Sequence, residues 1–315
     1  MIAIRKGDSP DIPAICDLWN AVWPHHHRGL QEMLRDQELL QLECRPIFWI
    51  AEDEDSVVGA AEFNRNVGSY HPLKWEFAIS VLPEYRGQGI GTELYQKMLT
   101  HVESEGAIST ACRVSDDDLS SIGFIERRRF EVIKRDFESE LDLSSLDATI
   151  LEAMSQCSVD IRAFAELDSQ EFRRELHEVF EIVRVDTPRS EPPTRMAFEQ
   201  FQALVIDEPE FLQEGSQVAL IDGRIIGFTG IYHTEIDGQL FQWLTAVKRE
   251  HRGKGIAKAL KANAAKWAIA NGYRTVRTDN DTRNAPMLAI NDKLGFRRLP
   301  GMITFRKQLA VEAPQ

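Results

Sequence analysis

Long apolar runs are missing from this 315-residue chain. That excludes a helix crossing a bilayer, which takes about 20 consecutive apolar residues. Cysteine is scarce, and Cys16, Cys44, Cys112 and Cys157 stand apart without the close pairings that metal or redox sites use. They read as small buried hydrophobes in a reducing compartment, and no metal site is expected. The opening Met1-Ile-Ala-Ile-Arg-Lys6 lacks the basic segment, apolar core and small-residue cleavage site of a signal peptide, so the expected location is the cytoplasm. An excess of positive charge is absent too. The formal net charge of −13 argues against electrostatic capture of nucleic acid or an anionic membrane. It suits a cationic or amine-bearing partner, although charge of this sign also serves solubility alone.

What the chain does contain is a repeat. Its length suggests two domains of about 150 residues each, and 43% hydrophobic with 28% charged residues is ordinary globular composition. Ile79-Ser-Val81-Leu-Pro-Glu-Tyr-Arg86-Gly-Gln-Gly89-Ile-Gly91-Thr-Glu-Leu94 matches Thr245-Ala-Val247-Lys-Arg-Glu-His-Arg252-Gly-Lys-Gly255-Ile-Ala257-Lys-Ala-Leu260, 166 positions on (245 − 79). The same offset pairs Gly106 with Gly272 and Phe130 with Phe296. Ile4-Arg5 and Ile161-Arg162 open the two halves. Runs at Ile47 to Glu52, Val57 to Asn64, Gln217 to Ile221 and Ile225 to Tyr232 read as strands. Ile90, Leu94, Met98 and Val102, and Ile256, Leu260, Ala264 and Trp267, recur at helical spacing and predict one buried face on each helix that follows a glycine motif. Gly106 and Gly272 close those helices, and strands follow at Ile108 to Val114 and Arg274 to Asp279. The polar stretch Glu138 to Ser158, with a short helix near Leu146 to Met154, places the boundary. The expected division is residues 1–143, a linker over 144–157, and residues 158–315. Thr187-Pro-Arg-Ser-Glu-Pro-Pro193 cannot be helical and reads either as a substrate wall or as an inert connection.

A strand that delivers Arg-Gly-x-Gly-x-Gly/Ala to a helix start leaves several backbone N–H groups pointing into one small volume. Glycine admits a phosphate close to the backbone, and the helix dipole adds partial positive charge at that point. One such loop reads equally as a tight turn. Two copies in register favour the anion site.

Here the sequence resembles the GCN5-related N-acetyltransferase (GNAT) family, whose signature Arg/Gln-x-x-Gly-x-Gly/Ala is met by Arg86-Gly87-Gln88-Gly89-Ile90-Gly91 and by Arg252-Gly253-Lys254-Gly255-Ile256-Ala257. The implied fold is α/β (α+β): two tandem domains, each a mixed, mostly antiparallel sheet flanked by helices and splayed between its fourth and fifth strands. The resemblance implies acetyl-CoA as cofactor, its pyrophosphate held by the backbone from Arg86 to Thr92 and from Arg252 to Lys258, with Val81 and Val247 beside the pantetheine. In the second half, Asn284 through Asn291 to Leu294-Gly295-Phe296 looks like the family's Asn-containing helix and its Leu-Gly-Phe end, so Asn284 and Asn291 are expected at the cofactor. Asp118 and Arg128-Arg129-Phe130 replace Asn284 and Leu-Gly-Phe in the first half. The tandem arrangement is similar to two-domain members such as mycothiol synthase, although no motif specific to that substrate is present.

Acetyl transfer to an amine needs a base to remove a proton from the ammonium. In many members of the family this is a carboxylate on the fourth strand, with a tyrosine in the last helix as the acid. Glu76 lies on the expected fourth strand, either as that base or as an exposed strand carboxylate. Gln242, at the same offset, cannot serve. The tyrosine station holds Ile125 and Asn291, and Asp279, Asp281 and Tyr232 are substitutes that read equally as surface or core residues. His25-His26-His27 reads as a loop rather than a metal cluster. The expected activity is acetylation of the primary amine of a small molecule, with one half catalytically degenerate. A non-catalytic acyl-CoA-binding tandem module and a protein lysine acetyltransferase are the alternatives.

Overall fold

The computed structural model describes residues 2–23, 28–40, 42–54 and 56–310. The His25-His26-His27 run lies outside the described residues. Chain order gives β1 (Ala3–Gly7), α1 (Ile12–Val22), α2 (Leu30–Leu39), β2 (Ile47–Asp53), β3 (Ser56–Asn64), β4 (Lys74–Val81), α3 (Ile90–Ser104), β5 (Ser109–Ser115) and α4 (Leu119–Glu126). There follow β6 (Glu131–Asp142), α5 (Ala148–Ser155), β7 (Asp160–Ala163), α6 (Gln170–Val183), α7 (Phe198–Phe201, prolonged by a π-helical turn), β8 (Gln217–Ile221), β9 (Arg224–His233) and β10 (Gln239–Val247). The last elements are α8 (Ile256–Ala270), β11 (Thr275–Asp281), α9 (Ala285–Leu294) and β12 (Arg297–Gln308). No helix among the described residues is long and apolar enough to cross a membrane.

The chain forms two compact units, Met1–Lys134 with Met302–Gln315, and Arg135–Gly301. In the first, β1, β2, β3 and β4 are joined antiparallel, β5 is parallel to β4, and Met302–Gln308 of β12 closes the sheet antiparallel to β5. The second repeats the plan: β7, β8, β9 and β10 antiparallel, β11 parallel to β10, and Asp136–Asp142 of β6 antiparallel to β11. Each half therefore gives its last strand to the sheet of the other unit. This differs from the division expected at 143 and 158. The repeat reveals that each half ends in a strand, but β pairing is non-local, and nothing in a sequence register says which sheet receives it. The expected linker is also structured. Leu151 and Met154 of α5 are buried with Ala262 and Ala265 of α8, and Asn263 Nδ2 donates to Ser155 O at 3.0 Å.

The helical spacing of the sequence becomes the packing of α3 and α8. Ile90, Leu94, Met98 and Val102 are buried, as are Ile256, Leu260 and Ala264, while Trp267 is half-buried against that core. Gly106 (φ 72°) and Gly272 (φ 79°) end these helices in the left-handed conformation, where Ala107 N returns to Val102 O at 3.0 Å and Tyr273 N to Ala268 O at 3.1 Å.

The sheets differ at one position. β4 pairs with β3 in constant register, from Gly59 opposite Val81 to Asn64 opposite Glu76. β10 starts alike, Gly227 opposite Val247, but slips between Thr245 and Gln242, so that Ile231 faces Gln242 and Tyr232 faces Phe241. The extra residue of this bulge turns the rest of the strand over. Gln242 then stands where Phe77 stands in the first unit, against the helix. There Phe77 meets Tyr95 of α3, and here Gln242 Oε1 accepts from Lys261 Nζ of α8, which is Tyr95 displaced by 166 (261 − 95). Lys261 is 2% exposed, with Phe296 5.2 Å from its Nζ, and has no carboxylate partner among the described residues. Burial pushes its ammonium pKa down to about 7.

Two outcomes follow. Phe305 on β12 is 1% exposed in the first unit's core, although it stands at the far end of the chain. Phe305→Ala is expected to cost about 3–5 kcal/mol, and hydrogen exchange should lose protection in β4, β5 and α3. Loss confined to residues 135–301 would contradict the strand exchange. For Lys261, a folded pKa of about 7 lies below the unfolded value of about 10.4. Between those values the unfolded chain carries a proton that the native one lacks, so stability rises with pH from about 7 to 10, by at most ~1.4 kcal/mol per unit. Denaturant titrations across that range should show the rise in the wild type and not in Lys261→Met.

Candidate active site

Parallel pairing of β4 with β5 runs only from Lys74–Ser109 to Phe77–Cys112, and that of β10 with β11 only from Gln239–Thr275 to Phe241–Arg277. Beyond those points each pair diverges. Among the described residues, the facing edge of β4 from Ala78 to Val81, and of β10 from Trp243 to Val247, has no backbone pairing with the next strand, Thr278 Oγ1 still reaching Gln242 O at 2.9 Å, and the glycine loop begins where that edge ends.

The two loops have one geometry. Arg86 Nε donates to Val81 O at 3.0 Å and Arg252 Nε to Val247 O at 2.8 Å, so each motif arginine ties the loop to the last residue of its strand. Gly87 (φ 78°), Gly89 (φ 89°), Gly253 (φ 74°) and Gly255 (φ 77°) are left-handed, which L side chains rarely adopt. A Cβ on Gly87, Gly89 or Gly253 would meet nothing within 4 Å beyond its own chain neighbours, and on Gly255 the nearest such atom is Lys258 Cε at 3.8 Å. The loops therefore face open space. Among the described residues, no protein acceptor takes the N–H groups of Gly87, Gln88, Gly89, Ile90 and Gly91, and the first to turn back is Thr92, to Gly89 O at 2.9 Å. Gly253 to Lys258 behave alike, up to Ala259 N on Gly255 O at 3.0 Å. A row of unpaired donors on a helix start with room in front of it fits a pyrophosphate. The side chains of Ile90 and Ile256 turn away, into the cores, and Ala257 packs against the same cluster as Ile256. Val81 is half-buried and Val247 buried beside the loops.

Side chains distinguish the two sites. Arg252 Nη2 donates to Asp186 Oδ2 at 2.6 Å, and Arg249 pairs with the same carboxylate, which holds Asp186 well below the usual carboxylate range. Arg86 has no carboxylate partner among the described residues. The expected cofactor contacts on α9 separate as well. Asn284 is half-buried at the start of the helix, its amide without a capping bond. Asn291 is 2% exposed and donates through Nδ2 to Asn280 Oδ1 at 2.5 Å, while Asn280 Nδ2 donates to Ser139 Oγ at 2.9 Å. Asn291 therefore offers no surface to a ligand, and its place is in the core amide network. Nothing in its helical spacing could tell inward from outward, since amides suit both.

Glu76 lies where β4 and β5 part. Asn66 Nδ2 donates to both of its carboxylate oxygens, at 3.2 and 3.1 Å. Glu62, Asn64, Glu76 and Ser80 share one face of the sheet, opposite α3, because cross-strand partners point alike. Trp23 Nε1 donates to Ser80 Oγ at 3.2 Å and Arg28 pairs with Glu62 at 2.7 Å across that face. Burial, and Glu32 beside it, raise the carboxyl of Asp36 to about 6. In the second unit the bulge puts Phe241, not Gln242, at the station of Glu76. Its face is an aromatic core of Phe164, Phe180, Phe201, Phe228 and Trp243. Ile125 is buried, as is Asn291, at the station expected for an acid. Of the named substitutes, Tyr232 Oη donates to Val205 O at 3.2 Å, Asp281 pairs with Arg283 at 2.8 Å, and Asp279 is exposed.

The family comparison agrees with this arrangement. The model of the acetyltransferase (GNAT) family matches twice, over residues 12–130 and 176–296. N-acetylaspartate synthetase of Danio rerio is 31% identical over 93 residues, which are 27% of this chain and 33% of that one. The chain thus spans about a third of that relative's length. Aminoglycoside N(6')-acetyltransferase type 1 of Salmonella typhimurium is 29% identical over 116 residues, 34% of this chain and 80% of that one. A solved tandem GNAT protein from the clavulanic acid biosynthesis pathway shares the fold over 99% of this chain and 100% of its own, with a TM-score of 0.75 at 18% identity. With two matched segments, each built on a splayed strand pair and a glycine loop, the chain belongs to the GNAT acetyltransferase family, in tandem form.

Proposed function

We propose that the protein is an acetyl-CoA-dependent N-acetyltransferase that acts on the primary amine of a small molecule, with the transfer carried by the N-terminal unit and the C-terminal unit degenerate. The observation that carries the reading is the contrast at one station, where Glu76 stands in the first unit and Phe241 in the second. Curated relatives with names such as aminoglycoside N(6')-acetyltransferase support the reaction class.

Bound acetyl-CoA supplies an acyl group on a thioester. The chain does the rest. Within the Arg86 to Thr92 loop, the N–H groups of Gly87 to Gly91 would face the pyrophosphate, and the open edge of β4 up to Val81 would receive the extended arm as an added strand is received. Arg252 to Lys258, with Val247 and Asn284, offer the same holding surface in the second unit. Glu76, fixed by Asn66, takes the proton of the incoming ammonium, directly or through one water. Glu62 on that face is already paired with Arg28, so the carboxylate of Glu76, held among the described residues only by a neutral amide, is the one that favours a cationic acceptor. Ile125 fills the station from which a side chain would return a proton, so water supplies it. In the second unit a Phe at the base's station and an aromatic core on the acceptor face leave holding without transfer.

The test is release of free thiol from acetyl-CoA over a panel of primary amines. Glu76→Gln, which keeps the shape of the side chain, is expected to lower turnover by about 10²-fold or more while CoA binding stays unchanged. Equal turnover in the variant would remove Glu76 from the chemistry. Binding by the wild type with no turnover on any amine would remove the transferase reading itself.

A further inference from the structure

We propose that Arg128 is a second cationic contact for the cofactor's phosphates in the N-terminal unit, reaching the glycine loop from the turn after α4. This rests on the reading that Arg86 to Thr92 hold CoA, and deepens it.

Arg128 is fixed at the start of α3. Its Nη2 donates to Thr92 Oγ1 at 3.0 Å, its Nη1 donates to Phe124 O at 2.8 Å, and its Cζ lies 3.4 Å from the centre of the Phe124 ring and 5.0 Å from that of Tyr95. Phe124 borders the loop, because a Cβ on Gly91 would lie 3.8 Å from Phe124 Cε2. A guanidinium has five N–H donors, and two of them serve the contacts just named. No carboxylate pairs with it among the described residues. Burial pushes its pKa below the usual arginine value, as for a cation short of a counter-charge. Half-buried, aromatic-stacked and beside unpaired backbone donors, it is placed to receive an anion.

The second unit shows what Arg128 replaces. At the 166 offset Thr92 becomes Lys258, whose Nζ would lie 4.0 Å from a Cβ on Gly255, and Arg128 becomes the buried Leu294. A cation thus reaches the second loop from within its own helix. In the first unit the helix offers a hydroxyl, and the cation arrives from α4 with that hydroxyl as its anchor. Asp118, in the place of Asn284, accepts from Ser121 N at 3.0 Å to cap α4, which puts a carboxylate where the second unit has an amide. Arg129 is held at φ 63° at the station of Gly295 (φ 87°). The turn that delivers Arg128 thereby keeps a conformation unfavourable for its own residue.

Calorimetric titration with CoA and with dephospho-CoA tests the assignment in the full chain. Arg128→Leu is expected to raise the Kd of the N-terminal site roughly tenfold or more, with Arg128→Lys in between. A loss restricted to CoA assigns the 3′-phosphate as partner, and an equal loss with dephospho-CoA assigns the pyrophosphate. Both support the proposal. Wild-type affinity for both ligands in Arg128→Leu overturns it. If the leucine variant unfolds, Arg128→Gln, which keeps a donor for Phe124 O, answers the same question by the same Kd. Gly89→Glu separates the two readings: unchanged CoA stoichiometry and affinity in that variant would remove the loop assignment itself, whatever Arg128 does.

Discussion

Backbone N–H and C=O groups tolerate burial only when paired, and both units leave that pairing undone at the same place. A parallel strand pair is joined for a few residues and then parts, and the chain crosses the gap by a left-handed glycine loop into a helix. The proposed function hangs on that interruption. The open strand edge, the row of unclaimed amides and the positive end of the helix dipole are aimed at a single volume. No side chain is needed to make the site attractive to phosphate, which is why so few identities define it.

Side chains decide what else each unit can do. In the first, a polar sheet face carries Glu62, Asn64, Glu76 and Ser80, and the cation beside the loop comes from the far end of α4. In the second, one inserted residue in β10 turns over the lower part of the strand. A glutamine goes to the helix side, a phenylalanine takes the place of the carboxylate, and the opposite face closes with rings. Asp186 then draws the motif arginine toward the protein itself. The loops are near copies, and the neighbourhoods are not.

The loops, the helices after them and the mixed sheet were legible in the sequence because glycine at left-handed positions, helical periodicity and a constant offset are local signals. The offset misled where geometry changed without a gap in the alignment. Glu76 and Gln242 align by number, yet the bulge sets them on opposite faces. Asn291 has the residue type and spacing of a ligand contact and lies in the core instead. Asn66, which fixes Glu76, belongs to a turn with no pattern. Arg128 stood in plain view as a departure from Leu-Gly-Phe, but only the structure places it on Phe124 and Thr92. Strand exchange left no mark at all, since hydrophobic patterning is satisfied by either sheet.

That exchange bears on how the chain is made. The first unit's sheet is completed by residues 302–308, separated by the whole of the second unit from Lys134, where its own continuous stretch ends. At synthesis rates of about 5–20 residues per second, the first unit waits roughly ten to thirty seconds on the ribosome with the outer edge of β5 uncovered. Its maturation is therefore bound to the completion of its neighbour. The two halves, alike as they are, become a single object in time.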